Sequence, residues 1–134
     1  MKPFNELRSI FETDDGREFA AIPATIQHVD LGFEHDRGWY TLRAEANYSG
    51  SGIQGIPMMG LGDGKFGHEF IKSFIRVVNG SYSYLSECNN KKVFVLKEKG
   101  QEYNGFIEGL ASFDLKNYVV FQDLHDKYLS EEEK

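Results

Sequence analysis

The sequence predicts an α+β fold: one domain over 1–134, a mostly antiparallel sheet packed by one main helix. Three observations carry that prediction. In Trp39–Tyr48, Tyr40, Leu42, Ala44, Ala46 and Tyr48 line one face and Thr41, Arg43, Glu45 and Asn47 the other. Strict alternation is the pattern of a half-buried antiparallel strand. Gly67–Asn79 carries Phe70, Ile71, Phe74, Ile75 and Val78 at helical spacing, which makes one apolar stripe. Lys92–Glu98 places Val93 and Val95 on one face and Phe94 and Leu96 on the other, so that strand reads as central and covered on both sides. No repeat or linker divides the chain, and strands and helices arranged this way give α+β.

Taken in order, Pro3–Glu12 reads as a short amphipathic helix, with Phe4, Leu7, Ile10 and Phe11 at helical spacing. Asp14-Asp15-Gly16 ends it, so 1–16 is an N-terminal helix and turn. Glu18–Ile22 reads as a short extended piece that Pro23 interrupts. Ala24–Phe33 is rich in β-formers; Val29, Leu31 and Phe33 share one face, Ile26, His28 and Asp30 the other. A turn over 34–38 joins it to Trp39–Tyr48 as a long hairpin. Pro57 and the surrounding glycines limit Ile53–Leu61 to an edge or irregular strand. Gly80 caps the main helix, and Ser81–Asn90 is a turn region with Tyr82, Tyr84 and Leu85. Gly105–Phe113 and Tyr118–Phe121 are further strands, Asp123–Leu129 forms a last helical turn or two, and 130–134 is a frayed acidic tail.

Composition bounds the function. The chain has 134 residues, enough for a single core, and its 11 Phe and 7 Tyr argue against disorder. No apolar run is long enough to span a membrane. The alternating N-terminus does not read as a secretory signal. A lone Cys88 excludes an intramolecular disulfide framework. Cytoplasm is the simplest compartment. A net charge of −6 without a basic patch argues against direct nucleic-acid binding. Lys91, Lys92, Lys97 and Lys99 read as a solvated strand edge.

Tyr48–Gly67 holds half of the 14 glycines. Residues 50–55 and 62–67 each spell G-x-G-x-x-G, and the second opens a helix. A dinucleotide site needs an enclosing parallel βαβ unit, whereas here an antiparallel hairpin precedes the segment. A phosphate-binding lysine loop fails because Phe66 and Met59 stand where Ser/Thr and Gly are required. Two readings remain. The glycines either present N–H groups as an anion nest beside the helix start, with Lys65 as cation, or serve tight turns and close backbone packing. His28, Asp30, Glu34, His35 and Asp36 lack any metal-binding spacing. Cys88 has no nearby His, and Ser51 lacks the nucleophile-elbow pattern. No cofactor is implied, and an enzyme is the reading that the residues support least.

Ala24-Thr25-Ile26, Leu31-Gly32-Phe33-Glu34, Arg37-Gly38, Thr41 and the run Tyr48–Gly55 carry a resemblance. They resemble a group of small phage and prophage proteins with an A-T-I strand, an L-G-x-E turn, a G-x-x-T strand and a Y-G-G-S-G-Q-G-type loop. The resemblance spans Ala24 to Ala111. This chain departs from the pattern at Ile53, inserted between G-S-G and Q-G, and at Ile56–Gly60, which replaces the aromatic-flanked glycines. The resemblance implies a phage accessory protein acting in the host bacterial cytosol. Proteins of that kind commonly bind and inhibit a host factor, such as a defence component. The expected binding surface is the glycine-rich segment: Tyr48, Gly50, Ser51, Gly52, Ile53, Gln54, Gly55, Ile56, Met58, Met59 and Lys65. Adaptable Met side chains suit such a surface. The alternative is a small-ligand module that captures a nucleotide or other phosphate with loop N–H groups, Ser51, Gln54 and Lys65, within one chain or in a homo-oligomer.

Overall fold

The computed structural model describes residues 9–33, 40–48, 52–56, 61, 65–102 and 105–129. Among the described residues seven strands form one antiparallel sheet: β1 (Ser9–Glu12), β2 (Glu18–Phe33), β3 (Tyr40–Asn47), β4 (Ile53–Gly55), β5 (Lys92–Lys97), β6 (Gly109–Ser112) and β7 (Tyr118–Val120). The order is β4-β3-β2-β5-β6-β7, with β1 also paired to β2. The main helix, α1, runs Lys65–Asn79, and α2 is a single turn, Phe121–Leu124, that widens into His125–Leu129. The architecture is α+β, with α1 packed on the sheet.

β2 is the spine. At 16 residues it is long enough for one edge to serve two partners, β1 along 18–21 and β3 from Thr25 onward, while β5 takes the other edge along 20–25. Pro23 lies inside β2 instead of ending it. The bond from Ile26 N to Lys91 O fixes the phase of the β2–β5 ladder. Counting back, the Pro23 nitrogen points away from β5, toward the interval between the β1 and β3 pairings. The missing N–H therefore falls where no ladder bond is needed.

A β-bulge interrupts the pairing of β2 with β3. Gln27 faces Glu45 and Asp30 faces Arg43, so His28 and Val29 together oppose Ala44. His28 has φ +55, in the left-handed region. The extra residue reverses the alternation expected for this strand. Ile26 is buried in the main core, and Val29 and Leu31 pack against that same core; strict alternation would have put Ile26 on the other face.

Ser9–Glu12 is a strand, not the last turn of a helix; the rest of the expected N-terminal helix, 1–8, lies outside the described residues. In β1, Phe11 pairs with Phe19 and joins a second apolar cluster with Phe19, Ala21, Phe94, Leu96, Ala111 and Val120. This cluster lies on the face of the sheet opposite α1. The curl of the sheet brings the first turn and the last strand together. Phe11 meets Tyr118 edge-on at 5.2 Å, Asp14 N donates to the Tyr118 hydroxyl at 3.2 Å, and Arg17 forks onto both oxygens of Asp123 at 3.1 and 2.6 Å. The larger cluster fills the space beneath α1 with Phe66, Phe70, Phe74, Val77 and Val78 against Ala24, Ile26, Leu42, Val93, Val95 and Leu110. β5 is therefore central, as its two apolar faces predict.

Candidate functional site

Within the glycine-rich segment, β4 is the last strand at one end of the sheet order, and Lys65–Gly67 open α1. Tyr48 N donates to Gly52 O at 2.9 Å, and Ile56 N to Ala44 O at 2.9 Å. Between them β4 pairs Gln54 with Ala46, a three-residue edge strand within the irregular stretch that the sequence predicts. Gly50, Ser51, Met58 and Met59 lie outside the described residues. The apolar residues divide: Ile56 is buried in the main core, whereas Ile53 is 56% exposed. Gly52 has φ +113, a backbone state that favours glycine.

Tyr48 and Gln54 come together. The Tyr48 hydroxyl donates to Gln54 Oε1 at 2.7 Å, and Gln54 Nε2 donates to Gly105 O at 3.2 Å. Burial pushes the Tyr48 phenol well above its ordinary range. These two side chains thus tie the edge strand to the segment before β6. Lys97 joins them from β5. It is 2% exposed, its Nζ donates to Glu102 O at 3.0 Å and lies 5.1 Å from the centre of the Tyr48 ring. That corrects the reading of a solvated edge at Lys97, and β5 is a central strand; Lys91, Lys92 and Lys99 are exposed as expected. Lys97 has the same strand parity as Val93 and Val95, and this spacing is the signal that places it under the sheet. A buried ammonium over an aromatic face is held by the ring quadrupole as well as by its hydrogen bonds.

Lys65 opens α1 and is exposed. Gly67 serves close packing: a Cβ there would lie 2.6 Å from Leu61 O. The second G-x-G-x-x-G run thus ends on a glycine required by backbone approach. On the other face of the hairpin, His28, Val29, Asp30, Arg43 and Glu45 line an open depression. His28 pairs with Glu45 and Asp30 with Arg43. The hydrogen bond from Arg43 holds the Asp30 carboxyl below its usual value.

Cys88 is fully buried beside the main core. Burial, with a smaller contribution from Glu87, pushes its thiol up to about 11 from 9.0. The raised value means that this group favours the fold below pH 9.0 and that its contribution is lost as pH rises through about 11. Native protein at pH 8 should therefore react with a thiol reagent at least ~100-fold more slowly than urea-unfolded protein, because labelling waits on opening. Equal rates would show that the thiol is reachable in the fold.

Exposed aromatic residues form the features that the sequence reading did not select. Phe33 is 74% exposed and stacks on Tyr40, with ring centres 5.1 Å apart and planes at 20°. Phe106 is 83% exposed beside the Gly105 carbonyl that Gln54 holds. Among the described residues no helix is long and apolar enough to cross a membrane. Comparison with protein-family models, curated proteins and solved structures finds no match.

Proposed function

We propose that this chain is a phage-encoded accessory protein that binds a host bacterial protein and inhibits it, with a defence component as target. The observation that carries the binding reading is the Phe33–Tyr40 stack. It lies where β2 and β3 continue beyond the pairing with β5, and Phe33 is exposed there and belongs to neither apolar cluster. A stacked aromatic pair offers large apolar area at low entropy cost, the property of an interface anchor. The acidic surface, net charge −6, favours a partner with a basic face. Tyr48 and Gln54 already satisfy one another, which favours macromolecular contact over capture of a nucleotide by their side chains.

Affinity capture from host lysate tests this reading. Wild-type protein should retain one stoichiometric partner, and Phe33→Asp should lose it by at least ~30-fold at unchanged melting temperature. Retention of the same partner by Phe33→Asp would remove the Phe33–Tyr40 stack from the interface. A rise in melting temperature with a nucleotide, and no partner, would move the assignment to the ligand-binding alternative.

A further inference from the structure

We infer that β4 is a self-complementary edge at which a second copy of this chain adds antiparallel, joining two sheets into one. The inference does not rest on the host-binding reading. Gly52 O and Ala44 O accept from Tyr48 and Ile56 at the two ends of the β3–β4 ladder. With Ala46 opposite Gln54, the phase makes 46–54 the hydrogen-bonded pair. The N–H and C=O groups of Ile53 and Gly55 then point away from β3, to the outside of the sheet.

Two such edges match about a twofold axis through Gln54. Ile53 of one copy lies opposite Gly55 of the other, and each of the two pairs exchanges two backbone hydrogen bonds. Side chains across an antiparallel pair share a face. The exposed Ile53 side chain therefore lies over the partner's Gly55, where a Cβ would meet nothing within 4 Å. On the opposite face Gln54 is held by Gly105 O, so its side chain is fixed clear of the seam. Gly52–Ile56 carries no charge. An acidic chain of net charge −6 meets its own copy with least repulsion at an uncharged edge. Ile53–Gly55 carries no Lys, Pro or bulge to block an added strand, and its three residues limit the seam to the two pairs. An interface of this kind is isologous and closes at two subunits.

Sedimentation of the full chain between ~1 and ~200 μM tests the inference, a range that spans weak to moderate self-association. Wild type should convert from monomer to dimer. The amides of Ile53 and Gly55 should gain hydrogen-exchange protection as concentration rises, since the ladder phase points both away from β3 and neither bonds another described residue. Gly55→Pro removes only an outward N–H and should weaken association about thirtyfold through loss of two bonds per dimer. Ile53→Asp should weaken association at least as much, and its monomer should keep the wild-type melting temperature. A wild type that stays monomeric overturns the inference. So does a dimer whose Ile53 and Gly55 amides remain unprotected, or one that persists in both variants.

Discussion

Gly109→Ala should destabilise the fold by about 3 kcal/mol. The new Cβ would lie 2.2 Å from Val119 O and 3.1 Å from the Val120 Cα. Both are backbone atoms of β7, so no side-chain rotation relieves the clash. Gly109 is paired with Val120, and the strands must separate at that point. β7 carries Val119 into the main core and Val120 into the second cluster, so one displacement loosens both. For a domain of this size the melting temperature should fall by roughly 10 °C. Gly32→Ala is the control: a Cβ there meets nothing within 4 Å, and stability should stay within about 0.5 kcal/mol. Equal effects of the two substitutions in urea melts would show that the approach of β7 to Gly109 does not constrain the fold.

Lys97→Ala should cost about 3 kcal/mol, combining lost packing of the stem, lost attraction to the Tyr48 ring and an orphaned Glu102 carbonyl. Lys97→Met keeps the stem and removes the charge, and should cost about 1–2 kcal/mol. The difference between the two variants separates packing from polar interaction. A Lys97→Met protein more stable than wild type would mean that burial of the ammonium outweighs its bonds. In either variant Tyr48 loses the cation above its ring, so the amides of Gln54 and Ile56, which face β3, should exchange faster than in wild type. Unchanged exchange there would show that Lys97 does not support the edge strand.

The parts of the fold legible in the sequence are those where one period governs a whole element. The stripe of α1 holds at Phe70, Phe74, Ile75 and Val78, with Val77 buried beside it; the alternation of β3 holds at Leu42, Ala44 and Ala46 but not at Thr41, which is buried on the other face; β5 is covered on both faces. Where the reading departed from the structure, one local event outweighed the period. Pro23 suggests a strand end, yet the interval between β1 and β3 leaves its position without a needed donor. The His28 bulge shifts the phase of β2 by one residue, and nothing in the composition of Gln27–Val29 announces it. Ser9–Glu12 has apolar residues whose spacing also fits a helix; pairing with β2 decides the outcome.

The candidate site was legible as a place more than as a set of contacts. Ile53 and Gly55 lie exposed at the edge, while Ile56 belongs to the core and Tyr48 and Gln54 bond each other. The Phe33–Tyr40 stack depends on a register that the bulge sets, so the sequence alone does not reveal it.

The clasp between the first turn and the last strand has a consequence for how the molecule is made. Arg17 and Asp123, which fork together, are separated by most of the chain, and β2 must wait for β5 before its second edge is paired. A chain emerging from the ribosome can form the β2–β3 hairpin early. The second apolar cluster, which needs Phe11 and Val120 at once, closes only after synthesis has passed β7. Until then Phe11, Phe19 and Phe94 face water. Such long-range pairing folds on the slow side, in milliseconds to seconds, and the interval before closure is when the nascent chain is most prone to aggregate.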